Sequence, residues 1–174
     1  MTADLFVAMR KVAELSADGR YRYTLARVWD TARPEAVFVM LNPSTADADR
    51  DDPTIRRCIA FAREWRAGAI VVLNLFAKRA TNPNALYASD DPIGPHNDIF
   101  VRKELDRIIC TRSPVVCAWG THGAHLDRDR AMLAMIREAG IVPTCLGVTK
   151  DGYPRHPLYV AGGTKPIPYL GRAE

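Results

Sequence analysis

The chain has 174 residues, a length that suits one domain over residues 1–174. Its composition is 48% hydrophobic and 25% charged with a net charge of +4, which is ordinary for a globular protein and gives only weak support for a polyanionic partner. No apolar run approaches the roughly 18 residues that span a bilayer, and the N-terminal segment lacks the pattern of a secretory signal. We therefore expect a cytoplasmic protein that contacts no membrane.

The first elements predicted along the chain are a helix and a pair of strands. Apolar spacing over residues 5–15 predicts a short amphipathic helix. The aromatic and β-branched run over 21–29 predicts a strand. A turn at 31–34 would join it to a strand over 36–41, so we predict a hairpin.

Helices and strands then alternate. Helices are predicted over 53–66, 95–110 and 124–139, and strands over 69–74, 114–118 and 141–146, whereas no element is predicted in the tail after residue 146. Alternation of this kind indicates parallel strands joined by right-handed crossovers. We predict a three-layer α/β/α sandwich with a four-stranded parallel core sheet and an extra antiparallel strand at one edge.

Each predicted core strand runs into a polar cluster. The clusters begin at Asn42, at Asn74, at Trp119 and in the segment 147–157, which contains His156. The carboxyl ends of parallel strands lie at one edge of a sheet, and open α/β sheets bind ligands there. We therefore expect the clusters to border one site.

The two asparagines and the residues after Asn74 each have two interpretations. Asn42 precedes a proline and either holds a water or substrate atom or simply forms a turn. Asn74 ends an apolar run, where its amide either recognises the edge of a base or bonds local backbone. Phe76 either stacks on a planar ligand or belongs to the core. Lys78 and Arg79 either contact phosphate or are surface charges.

His156 lies between two prolines in the segment Tyr-Pro-Arg-His-Pro-Leu-Tyr. A rigid loop suits a side chain that donates to a developing anion, although a lone loop histidine is usually just exposed. The remaining histidines resemble helix-start or loop residues. His122 and His125 could flank the site, but no third zinc ligand accompanies them. The four cysteines form no C-x-x-C pair. We therefore predict no zinc, no iron–sulfur cluster and no disulfide.

An acidic run follows the first polar cluster and comprises Asp47, Asp49, Asp51 and Asp52. Carboxylates suit magnesium or calcium, so a metal site is one interpretation. Alternatively, Asp52 caps the next helix, with Pro53 as its first residue, and the other carboxylates favour the positive helix N-terminus. We favour the second interpretation and predict no metal and no other cofactor.

Six motifs resemble those of a family of small bacterial proteins catalogued only as a domain of unknown function. They are R-Y-R-Y-T-L, L-N-P-S-T-A, D-D-P-T-I-R-R-C, N-L-F-A-K-R-A-T-N-P, A-W-G and T-K-x-G-x-P-R-H-P-L-Y. They cover most of the chain in order, so the resemblance is specific, but it carries little functional information.

The motif order is also similar, more distantly, to the uracil-DNA glycosylase superfamily. Leu-Asn-Pro at 41–43 resembles its first-strand motif, whose polar residue positions water. Val-Leu-Asn at 72–74 resembles the strand end whose asparagine reads a pyrimidine, and His-Pro at 156–157 resembles the loop that stabilises the leaving base. The resemblance implies the same four-stranded α/β/α fold.

This resemblance implies a DNA-glycosylase-like protein that binds a nucleobase and hydrolyses an N-glycosidic bond, with a nucleic acid or nucleotide as its partner. Asn42 and His156 would be catalytic. The expected substrate-binding residues are Ser44, Asn74, Phe76, Arg79, Asn82, Lys150 and Arg155. Two alternatives remain: a metal-assisted enzyme that acts on free nucleotides or nucleosides, and a non-catalytic module that binds a nucleic acid or nucleotide.

Overall fold

The computed structural model describes residues 9–44 and 50–172. Within those residues the chain forms a mixed α/β fold with seven strands in one sheet and four α-helices. The strands are β1 (Arg10–Leu15), β2 (Arg22–Val28), β3 (Glu35–Met40), β4 (Ala69–Asn74), β5 (Val115–Cys117), β6 (Thr144–Cys145) and β7 (Ile167–Pro168). The helices are α1 (Pro53–Glu64), α2 (Asn84–Tyr87), α3 (Asn97–Ile108) and α4 (Arg128–Glu138).

The sheet has the strand order β1-β2-β4-β3-β5-β6-β7. Strands β4, β3, β5 and β6 are parallel neighbours, which is the predicted four-stranded parallel core. Antiparallel strands extend it at both edges, with β2 and β1 beyond β4 and β7 beyond β6. We predicted one antiparallel edge strand, whereas the described residues form three.

Helices cover both faces of the central strands. Val37 and Val39 of β3 pack in a core cluster that includes residues of α3 and α4. Phe38 and Met40 face the other way and pack with residues of α1. Since β4 is also buried along its whole length, the middle of the sheet has the apolar character expected of parallel strands covered on both faces. No helix in the described ranges is long and apolar enough to cross a membrane.

The helix predicted over 5–15 is wrong in its described part, because residues 10–15 form β1. Residues 1–8 lie outside the described residues. A tight turn after β1 provides the physical reason: Ser16 N–H donates to the Tyr21 carbonyl at 3.0 Å, and Asp18 accepts from Arg20 N–H. This turn reverses the chain and pairs β1 with β2, and that pairing outweighs a weak helical periodicity.

The predicted hairpin between the second and third elements is also wrong. Strand β2 pairs antiparallel with β4, and β4 separates it from β3. The connection between β2 and β3 instead wraps around Gly68. Trp29 and Asp30 N–H both donate to the Gly68 carbonyl at 2.9 Å, and Gly68 N–H donates to the Pro34 carbonyl at 2.7 Å.

The helix boundaries depend on caps and backbone angles. Helix α1 begins as predicted, since the Asp52 carboxylate accepts from Ile55 N–H at 2.8 Å. Helix α4 begins later than predicted because His125 and Leu126 have non-helical backbone angles. The tail is not without structure, since it contains a short 3₁₀ turn at Pro157–Tyr159 and strand β7.

We expect Gly68→Ala to lower the free energy of unfolding by about 2 kcal/mol, because an added Cβ would lie 1.9 Å from the Asp30 carbonyl oxygen. Gly162→Ala is the control, since its Cβ would meet nothing nearer than 3.6 Å. Denaturant unfolding of both variants measures the difference. Equal stability of the two variants would contradict the observed wrap around Gly68.

Candidate functional site

A cleft of about 730 Å³ opens at the carboxyl edge of the parallel strands. Its lining includes Asn42 after β3, Asn74 at the end of β4, Trp119 after β5 and His156 in the loop after β6. The volume lies within the range of small-molecule sites. The structure thus brings side chains from all four predicted polar clusters to one cavity.

Asn74 is fully buried, and it lines the cleft. Neither its Oδ1 nor its Nδ2 atom has a hydrogen-bond partner among the described residues, so the amide does not bond local backbone there. A buried polar group in this state costs about 1–3 kcal/mol. A ligand that offers one donor and one acceptor would remove this cost.

The backbone around Asn74 is held from the opposite side. Asn97, at the start of α3, donates its Nδ2 hydrogens to the carbonyls of Asn74 and Leu75 at 3.0 and 3.1 Å. Arg128 Nε also donates to the Leu75 carbonyl at 2.8 Å, and its guanidinium pairs with Asp98. The end of β4 is therefore a rigid support for the Asn74 side chain.

Asn42 has a defined amide orientation. Its Nδ2 group donates to the carbonyls of Pro43 and Ala80 at 3.0 and 2.8 Å. A flipped amide would place Oδ1 against two carbonyl oxygens, so the nitrogen must face them. Both amide hydrogens are thereby used, and Oδ1 is the atom that remains to accept a hydrogen bond from a water or a ligand.

His156 is half-buried on the cleft wall, and its Nδ1 accepts from Leu158 N–H at 3.3 Å. Burial lowers the pKa of the imidazole below its ordinary value, and the negative charge of Asp52 partly opposes this shift. The ring is therefore neutral at neutral pH. Because Nδ1 accepts, the ring proton lies on Nε2, which is the donor that His156 offers.

Sequence reasoning favoured helix capping over a metal site for Asp52. The carboxylate does cap α1, but it also lines the cleft, and its charge acts on the His156 imidazole. Helix α1 starts at the carboxyl edge of the parallel strands, so its capping carboxylate lies at the cleft. The position of Asp52 directly before this helix was the sequence signal that could have predicted its place in the cleft.

Trp119 had no assigned role. Its indole Nε1 is buried at the cleft and has no partner among the described residues. The ring packs so closely on Gly123 that a Cβ there would lie 2.2 Å from Trp119 Cδ1. The sequence A-W-G alone carried no signal for this unpaired donor, because the packing of the ring involves Gly123, which lies outside that motif.

The other predicted binding residues divide into two groups. Ser44, Lys150 and Arg155 line the cleft. Phe76 is fully buried in the core and does not line the cleft, so its position does not allow the predicted stacking on a base in the cleft.

Arg79 and Asn82 also lie outside the cleft lining. Arg79 donates to the Gly19 carbonyl in a neighbouring depression. Asn82 is exposed and accepts from Asn84 N–H ahead of α2. Direct contact of either residue with a base in the cleft therefore has no support.

The acidic run forms no metal centre in its described part. Asp51 pairs with buried Arg27 at 2.7 Å, and Asp52 caps α1, while Asp47 and Asp49 lie outside the described residues. Across residues 9–44 and 50–172, no group of three or more His, Cys, Asp or Glu side chains is placed to hold a metal ion.

Residues 22–158 match the model of a family described as "Protein of unknown function (DUF1643)", and the chain belongs to that family. The match contains four of the six motifs in full and overlaps the first and the last of them. No curated protein matches the chain.

Among solved structures, the chain is similar to the hetero-hexameric glutamate dehydrogenase from Thermus thermophilus in its Leu-bound form. The TM-score is 0.35 and the identity 15%, over 75% of this chain and 29% of that chain. The chain thus spans less than a third of the length of that protein. A likeness at this level carries no argument about fold or function.

We expect an NMR titration of His156 to give a pKa below 6.5, since burial disfavours the imidazolium form. Asp52→Asn should lower the pKa further, because it removes the negative charge that stabilises the protonated ring. A pKa at or above 6.5 in the wild-type protein would contradict the placement of the ring. An unchanged pKa in the variant would contradict the electrostatic influence of Asp52 on the ring.

Proposed function

We propose that the cleft binds a nucleobase and that the protein hydrolyses the N-glycosidic bond of the bound nucleotide. The observation that carries this proposal is the fully buried Asn74 amide on the cleft wall, whose oxygen and nitrogen both lack partners among the described residues. The edge of a nucleobase presents a donor beside an acceptor at the spacing of one carboxamide.

The arrangement of the parallel strands also supports the proposal. Asn42 follows the first parallel strand, Asn74 ends the second and His156 follows the fourth, in the chain order of the motifs that resemble the uracil-DNA glycosylase superfamily. Helices cover both faces of this sheet. The likeness to that superfamily is itself part of the proposal. The roles given below to Asn42, Asn74 and His156 are argued from their positions in the cleft.

In the proposed reaction, water attacks the sugar C1′ as the bond from C1′ to the base nitrogen breaks. Asn42 Oδ1 accepts a hydrogen bond from the water and orients it, but an amide is too weak a base to activate it alone. The C1′–N bond must therefore break early, and its electron pair leaves with the base. The proton lost by water ends on the departing base or in solvent.

Two charged or polar groups stabilise the separated charges. His156 Nε2–H donates a hydrogen bond to the base as the base becomes negative. A neutral imidazole can do this because its proton lies on Nε2. The Asp52 carboxylate on the cleft wall stabilises the positive charge that develops on the sugar, as carboxylates do in glycoside hydrolysis. Asn74 holds the base edge in both the bound and the reacting state.

We expect release of a base from oligonucleotides that contain uracil, hypoxanthine or hydroxymethyluracil, measured as abasic-site formation. Asn42→Ala and His156→Ala should each lower the rate about 100-fold or more, because each removes a positioned polar group. His96→Ala, an exposed histidine outside the cleft lining, is the control. If the wild-type protein releases none of these bases, the hydrolytic role is wrong.

Asp52 allows a test that separates charge from folding. Asp52→Asn retains a good helix cap and should preserve stability, yet it should lower the rate about 10-fold or more because the carboxylate charge is lost. Asp52→Ala should additionally lower the free energy of unfolding by about 1 kcal/mol through loss of the cap. Full activity of the folded Asp52→Asn variant would show that Asp52 only caps the helix.

A second candidate function is base binding without turnover. Asn42 Oδ1 is a weak base, and this observation favours a module that recognises a nucleotide through Asn74 and releases it unchanged. Equilibrium binding of modified oligonucleotides that depends on Asn74, without abasic-site formation, would favour this candidate.

A further inference from the structure

We propose that a depression beside the cleft is a phosphate subsite for the same ligand, so that the substrate is a phosphorylated nucleotide or a polynucleotide strand. This inference rests on the proposed function. The depression has a volume of about 440 Å³, and we call it the basic depression. Its side chains include Arg20, Lys78 and Arg79, together with Ser44, Ala80 and Thr81.

The basic depression and the cleft are continuous. Ser44, Ala80 and Thr81 line both cavities, so the two share one wall. A phosphate linked to a base in the cleft would reach the basic depression along this shared wall. This continuity gives Arg79 a contact with the ligand even though it does not line the cleft.

Paired backbone holds the three cations in place. Tyr21 and Lys78 form an antiparallel bridge, and Arg79 N–H donates to the Arg20 carbonyl at 3.0 Å. The Arg79 guanidinium also donates to the Gly19 carbonyl at 3.3 Å. Cations on a fixed backbone lose less conformational entropy when they bind an anion than cations on a free loop.

Carboxylates do not neutralise this group within the described residues. Lys78 and Arg79 have no carboxylate partner there, and Arg20 has only Asp18 at 4.0 Å in an exposed pair, a kind that contributes little. Cations that lack a close carboxylate among the described residues attract a phosphate, and arginine offers a planar donor set that matches it. The charge and the arginine donors of the basic depression therefore favour an anionic group such as a phosphate.

The same segment supports Asn42. Ala80 N–H donates to the Pro43 carbonyl at 2.9 Å, and the Ala80 carbonyl accepts from Asn42 Nδ2. Lys78 and Arg79 precede Ala80 directly in the chain. Phosphate binding in the basic depression would thus hold the backbone that orients Asn42, which links ligand binding to water positioning.

The test compares two double variants that lose the same charge. Arg20→Gln/Lys78→Gln removes two cations of the basic depression. Lys103→Gln/Arg130→Gln removes two exposed cations from α3 and α4 and is the control. Binding of deoxyuridine, deoxyuridine monophosphate and a short single-stranded oligonucleotide that contains uracil is measured by calorimetry over a range of salt concentrations, and the set is repeated with hypoxanthine as the base.

We expect phosphorylated ligands to bind the wild-type protein more tightly than the nucleoside. Each phosphate contact to a single strand contributes about 0.7 to the slope of log K against log salt, so losing two contacts should reduce the slope for the oligonucleotide by about 1.4. The control double variant should retain the wild-type slope. Nucleoside affinity should be the same in both double variants.

The comparison of the monophosphate with the oligonucleotide identifies the source of the phosphate. If Arg20→Gln/Lys78→Gln weakens the monophosphate, the subsite binds the phosphate of the recognised nucleotide, and if it weakens only the oligonucleotide, the phosphate belongs to a neighbour in the strand. Equal slopes for the two double variants would overturn the subsite. Failure of the proposed function is a separate result, because Asn74→Ala would then leave nucleoside affinity unchanged whatever the slopes are.

Discussion

The candidate site depends on how the protein holds the end of β4. Asn97 and Arg128 satisfy the backbone carbonyls of Asn74 and Leu75, whereas the Asn74 side chain is buried with no partner among the described residues. An unsatisfied buried amide costs about 1–3 kcal/mol, which apolar packing on both faces of the sheet offsets. The protein thus maintains an unpaired donor and acceptor in a fixed position, which is the requirement for recognising a flat polar edge.

The groups around Asn74 divide the proposed chemistry between them. Asn42 has both amide hydrogens engaged, so it presents an acceptor, and His156 has Nδ1 engaged, so its neutral ring presents a donor. Asp52 adds a negative charge at the same cleft. Hydrogen bonds to the backbone fix which atom each of the first two residues offers, and this preorganisation is what stabilises developing charge in a reaction.

Local signals in the sequence predicted the parallel core, the start of α1 at Asp52 and the polar side chains at the strand ends. Contacts between distant segments decided the rest. The wrap of the chain around Gly68 separates β2 from β3, and no local pattern encodes it. Phe76 packs in the core cluster that includes residues of α3 and α4. Trp119 packs closely on Gly123, and its buried indole N–H has no partner among the described residues.

The most direct measurement follows the Asn74 side-chain amide itself. Its ¹⁵N and ¹H signals, identified by their loss in Asn74→Ala, should shift when a nucleoside with a uracil or hypoxanthine base saturates the cleft, because the amide then gains a donor and an acceptor. The side-chain amide signals of exposed Asn82 should not move. Saturable nucleoside binding that leaves the Asn74 signals in place would contradict base recognition by this residue, and so would the absence of any binding.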